Sequence, residues 1–182
     1  MSDAAFRSLF DRLARVPDAP RLSPVPVAAA ALPRVARDLL DHGRSMTAAL
    51  EAYWRAPMQI SIIGRDESDG VLRRTVVLRA AGSARPAELG VIEVDMAALP
   101  LRAREPVRAG TVPFGTALRQ AGLAFSSRPE GFFRVVAESR LSTLLATRPG
   151  ATLFGRATVL RFDSGAVIGA AVEILSGHAP RT

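Results

Sequence analysis

The chain has no cysteine, lysine or asparagine, and its two histidines, His42 and His178, stand far apart in its 182 residues. Without cysteine there can be no disulfide and no thiolate nucleophile. Without lysine, Schiff-base and pyridoxal-phosphate chemistry is excluded. Two histidines so widely separated argue against a zinc site or a Ser-His-Asp triad. Long apolar runs are missing too. The alanine-rich VPVAAAALP stretch, Val25–Pro33, is too short to span a bilayer and is closed by proline. The opening MSDAAFRSLFDRLARV lacks the basic-then-apolar layout of a secretory signal, and its two aspartates count against a transit peptide. A cytoplasmic protein without a membrane span is expected.

All 24 basic residues are arginine, and the net charge is +7. Complete replacement of lysine reads as the codon bias of a GC-rich genome, and the arginines are spread along the chain. With no nucleic-acid motif and no aromatic-plus-basic stripe, no nucleic-acid partner is expected. The charge still favours capture of small anions over long range.

What is present suits one compact domain: 48% of the residues are hydrophobic. Residues 1–27 read as an amphipathic helix, with Phe6, Leu9, Phe10 and Leu13 on one face, followed by a Pro-rich arm, VPDAPRLSPVPV. Residues 28–182 read as the domain proper. It opens with a helix over about Leu32–Asp41, a corner at Gly43–Thr47 and a second helix to about Arg55. Gly43 is expected to take the left-handed conformation that ends the first helix, and Ser45 or Thr47 to cap the second. From Met58 the period becomes strand-like: MQISIIG, LRRTVVLRA and ELGVIEV follow one another with turn residues between them. VPFGTALRQAG reads as a short helix, and GFFRVVAE, ATLFGRATVLRF and AVIGAAVEILSG as further strands, the last two joined by Asp163-Ser164-Gly165. The class is α+β, helices packed on an antiparallel sheet.

Two charges interrupt these strands. Alternation sets Arg74 on the same face as Val76 and Leu78, and Glu173 stands alone in the apolar run Ala166–Leu175. Burying either charge without a partner is costly, so they are exposed, paired with each other, or turned into a pocket for an anionic ligand. In the pocket reading, the planar fork of Arg74 holds a carboxylate and Glu173 faces a hydroxyl or ether oxygen. The VPFG turn, Val112–Gly115, either simply opens a helix or brings backbone close to that ligand.

Five short motifs in order carry a resemblance. They are Ser45-Met46-Thr47; Arg74 with the following TVVLRAAG; Thr111-Val112-Pro113-Phe114-Gly115; Leu153-Phe154-Gly155-Arg156; and Val172-Glu173. Together they resemble the chorismate pyruvate-lyase (4-hydroxybenzoate synthase) family over about Pro33–Gly177. The resemblance implies a chorismate lyase-like fold with an enclosed pocket and elimination of pyruvate from chorismate to give 4-hydroxybenzoate or a related hydroxybenzoate. The product would serve ubiquinone or aromatic secondary-metabolite biosynthesis. It implies no cofactor and a small anionic aromatic or cyclohexadiene carboxylate as ligand. By the same resemblance Arg74 binds the ring carboxylate, Met46 lines the pocket, Phe114 supplies main-chain contact and a wall, and Glu173 contacts the ring oxygen and assists proton transfer. Phe114 stands where a smaller aliphatic residue is usual in that family. A second class shares the expected fold: a non-catalytic aromatic-acid binder or sensor, related to the effector domain of GntR-type regulators. No helix-turn-helix segment is read upstream, so such a regulator would act with a DNA-binding partner chain.

Overall fold

Eight strands with alternating or near-continuous apolar residues form one antiparallel sheet in the computed structural model. It describes residues 3–180, with side chains from residue 7 onward. The strands are β1 (Val25–Val27), β2 (Met58–Ser68), β3 (Val71–Ala80), β4 (Pro86–Asp95), β5 (Phe125–Ser126), β6 (Pro129–Val136), β7 (Thr152–Phe162) and β8 (Val167–Leu175). Their spatial order is β1-β6-β7-β8-β4-β3-β2, with β5 paired to β7 outside that path. The helices are α1 (Asp3–Leu13), α2 (Arg34–Leu40), α3 (Met46–Trp54), α4 (Leu101–Ala109), α5 (Phe114–Gln120) and α6 (Ser139–Leu145). The α+β class with an antiparallel sheet is thus the observed one.

The β2–β3 hairpin turns on two residues, Asp69 and Gly70, both left-handed at φ 53° and 74°. That conformation matches the twist of paired strands, so β2 runs on through Ser68 where turn residues alone suggested an earlier stop. The β7–β8 hairpin closes as expected at Gly165, whose N–H donates to the Phe162 carbonyl at 2.8 Å.

The two faces of the sheet carry different loads. On one, Val77, Leu89, Val91, Val172 and Ile174 pack with Phe133 beneath α1 and α6. Leu9, Phe10 and Leu13 of α1 are buried there, and Phe10 meets Phe133 edge-to-face at 4.9 Å. The expected apolar face of α1 is therefore turned onto its own sheet; the Phe6 side chain lies outside the described residues. The Pro-rich arm is tied down as well. Thr75 Oγ1 of β3 donates to the Pro17 carbonyl at 2.8 Å, and a Cβ on Gly64 would collide with that same carbonyl. The opposite face is covered by α2, α3, α4 and α5 and contains the candidate site.

Candidate ligand pocket

Strand register alone brings the site together. In β3, Arg74, Val76 and Leu78 share a face; across from them on β4 lie Ile92, Gly90 and Glu88 in turn. Gly90 pairs with Glu173 of β8, and Glu173 pairs with Arg156 of β7. Two arginines and two glutamates therefore stand on one side of four adjacent strands. Over them sit Ser45, Met46 and Thr47, then Pro113, Phe114 and Gly115, with Phe125 and Ser127 completing the walls of a cavity of about 60 Å³. At about 10–15 Å³ for each ordered water, this is room for a handful of waters. Arg74, Glu173, Met46 and Phe114, the residues singled out in the sequence, all line it.

The roof explains the Ser-Met-Thr triplet. Ser45 is the N-cap of α3, its hydroxyl accepting from the Ala48 N–H at 3.2 Å. Met46, the first helical residue, is buried over the floor. A Cβ on Gly115 would lie 3.0 Å from Ser45 Oγ and 3.3 Å from Thr47 Oγ1. The glycine of the VPFG turn thus lets α5 abut the α3 corner. Phe114 and Phe125 close one side edge-to-face at 5.7 Å. Gly43 departs from expectation. Helix α2 ends instead through Asp41, at φ −92°, and Gly43 is absent from the left-handed residues. Its smallness serves contact: its Cβ would lie 3.2 Å from Arg128 Cγ, and its carbonyl accepts from the Ser127 N–H at 2.9 Å.

The two arginines differ. Arg156 is fully buried and saturated. Its Nε donates to Glu173 Oε2 at 2.6 Å, Nη1 to the carbonyls of Leu40 and His42 at 3.1 Å, and Nη2 to Ser127 Oγ at 2.8 Å. His42 lies 3.3 Å from the same Nη1. Burial, then the Arg156 charge, hold its imidazole below the usual range. A proton on Nε2 of the neutral ring can be donated to the Leu39 carbonyl at 2.8 Å, leaving Nδ1 to accept from Arg156. This network joins the end of α2, the Ser127 loop, β7 and β8. Pairing of Glu173 with Arg74, one of the arrangements considered from sequence, does not occur; Glu173 is engaged by Arg156.

Arg74 is only 1% exposed and faces no carboxylate in any described ion pair. Nη1 donates to the Val107 carbonyl at the end of α4 at 3.1 Å, while Nε is buried without a partner. Gly110, left-handed at φ 65°, ends α4 against the guanidinium; a Cβ there would lie 2.7 Å from Nη1. Desolvation, with a smaller push from Arg65 across the strand pair, lowers the Arg74 pKa to about 10, so the side chain remains a cation at neutral pH.

Glu88 was not singled out in the sequence. It is 3% exposed, and its Oε2 is buried without a partner. Burial, followed by the neighbouring Glu173 charge, pushes its carboxyl well above the usual 4.5, against a smaller opposing pull from Arg156. Linkage fixes the sign. Between pH 4.5 and its raised native pKa the native state holds a proton that the unfolded chain has released, so stability from this group is lost as pH rises through that window. Glu88→Gln is therefore expected to gain on the parent protein as pH rises. Thermal melting of both at about pH 5 and about pH 8 checks this; an unchanged difference between the two curves counts against it.

No protein-family model matches the chain, and no curated protein matches it in sequence. Solved structures do resemble it in shape. PhnF from Mycobacterium smegmatis matches at a TM-score of 0.58 and 14% identity, over 98% of this chain and 95% of that one. The PhnF effector domain matches at 0.54 and 15% identity, over 76% and 92% of the two chains. The possible transcriptional regulator YydK from Bacillus subtilis matches at 0.55 and 10% identity, over 76% of this chain; the match spans 63% of the YydK chain. At these identities the likeness shows the fold: a chorismate lyase-like domain of the kind found as the effector (UTRA) domain of GntR-type regulators.

Proposed function

We propose that the chain is a cytoplasmic ligand-binding domain of the effector type, which senses a small carboxylic acid through Arg74. The observation that carries this reading is a buried, cationic guanidinium facing a cavity, with one nitrogen unpartnered and no ion-paired carboxylate among the described residues. Such a charge is costly in isolation and is compensated once an anion arrives to take the fork. Apolar walls from Val76, Leu78, Ile92, Met46 and Phe114 suit the ring of an aromatic acid. The effector-domain shape of the solved neighbours supports binding as the endpoint.

A second reading, pyruvate elimination from chorismate, keeps Arg74 as the anchor for the ring carboxylate and gives proton transfer at the ring oxygen to Glu173. It is favoured by Arg74, Met46, Phe114 and Glu173 lining one cavity. The 2.6 Å bond from Arg156 counts against it, because it occupies one oxygen of the proposed proton-transfer group. One experiment separates the two. Purified protein is titrated calorimetrically with 4-hydroxybenzoate and incubated with chorismate, with pyruvate and aromatic acid followed by chromatography. Saturable binding without pyruvate release supports the sensor; stoichiometric pyruvate and hydroxybenzoate establish the lyase. Neither binding nor turnover overturns both.

A further inference from the structure

Beyond Arg74, the cavity holds a second polar group that its own protein leaves unpartnered. Glu88 Oε2 is buried without a hydrogen bond, and native interiors seldom leave a carboxyl so. Glu88 stands on β4 opposite Leu78 and Leu175, whereas Arg74 stands opposite Ile92 of the same strand. Glu88 and Ile92 are two same-face steps apart, roughly 13 Å along the strand. The two unpartnered groups thus mark opposite ends of the floor.

Between them lies Gly90. A Cβ there would come 3.4 Å from Glu88 Oε1 and 3.2 Å from Val76 Cγ2, so the Glu88 carboxyl lies beside the bare glycine, and both line the cavity. Glu173 is the other carboxyl of the floor, level with Gly90, and its Oε2 accepts a hydrogen bond from Arg156 Nε. Glu88 has no such claim on it.

We infer that Glu88 is a second ligand-reading group, selecting small carboxylates that carry a hydroxyl at the end remote from their carboxylate. The inference rests on the reading of Arg74 as the carboxylate anchor. A protonated carboxyl offers one donor and spare acceptor capacity, which is what a hydroxyl also offers, so the two satisfy each other. Burial, then the Glu173 charge, raise the Glu88 pKa and so favour that protonated form. An acid without the hydroxyl leaves Oε2 unpartnered and gains nothing at that end.

The test is calorimetric titration of benzoate and 4-hydroxybenzoate into the full chain, into Glu88→Leu and Glu88→Gln, and into Arg74→Met as the anchor control. The parent protein is expected to prefer 4-hydroxybenzoate by about tenfold, the value of one well-placed hydrogen bond in a dry site. Glu88→Leu should lose that preference while binding benzoate at least as well, and Glu88→Gln, which keeps a donor and an acceptor, should retain part of it. If Glu88→Leu fails to fold, the Gln variant decides: a fully unchanged preference there, with 4-hydroxybenzoate binding unchanged on raising pH, overturns the inference. An undiminished preference in Glu88→Leu overturns it directly, with Glu88 then meeting water only. In either case Arg74-dependent binding leaves the anchor reading standing. If neither acid binds the parent, or binding survives in Arg74→Met, the anchor reading fails and this inference fails with it.

Discussion

Arg74→Met is expected to weaken binding of a small aromatic carboxylate by about 2–4 kcal/mol, roughly 30- to 1,000-fold, while making the ligand-free protein more stable. The two effects share one cause. In the free protein Arg74 is 1% exposed, one nitrogen has no partner, and desolvation has already lowered its pKa to about 10. Methionine fills similar apolar space without that cost; replacing poorly compensated buried charge with packed apolar side chains commonly stabilises by about 1–4 kcal/mol. Calorimetry reads the first effect and urea denaturation the second. Loss of binding together with loss of stability would assign Arg74 to the scaffold. Unchanged binding would remove it from the site. Arg74→Lys sharpens the result: it keeps the charge but loses the planar fork, so it should recover only part of the affinity.

Arg156→Met is expected to do the opposite to the fold, destabilising it by about 3–5 kcal/mol. Its guanidinium is spent on Glu173, on the carbonyls of Leu40 and His42, and on Ser127. Removing it leaves a carboxylate and two carbonyls behind in a buried place, each paying its own desolvation. Urea midpoints measure the loss. The double variant Arg156→Met with Glu173→Leu should recover part of it, because the orphaned carboxylate is then gone. If the double variant is no better than the single one, the penalty lies in the backbone carbonyls rather than in the ion pair.

The two arginines also show what the sequence could and could not reveal. Arg74 stood out because it shares a strand face with Val76 and Leu78, and Glu173 because it interrupts an apolar run; both signals are local. The six longer strands were legible for the same reason, whereas β1, inside the Pro-rich arm, and the two-residue β5 were not. Glu88 was hidden because it follows Pro86 at the start of its strand, where a carboxylate ordinarily reaches water. Its burial depends on Leu78, Leu175 and the roof, all distant in the chain. Arg156 was visible within a motif, but its partners come from the α2 end and the Ser127 loop, which no spacing predicts. Two helices went unread. Pro106 inside α4, among Arg102, Arg104 and Arg108, removes a helical N–H and hides the apolar stripe of Ala103 and Val107. α6 is one short serine- and threonine-containing run whose Leu141 and Leu145 are explained only by the sheet they cover.

Strand β8 is the last of this sheet's strands to be made, yet it lies at the middle of the sheet, between β7 and β4. The β2–β3–β4 meander is built from neighbouring hairpins and can pair as it emerges; the seam where Val91 meets Val172 must wait until every other strand has been made. Until then β4 is an open edge lined with Leu89, Val91 and Val94, a surface prone to pairing with other chains. Closing that seam joins sequence-distant segments, the slow kind of contact in folding. A nascent chain stalled just before Val167 would therefore carry Arg74 and Glu88 but no finished pocket, and would be the species most in need of a chaperone.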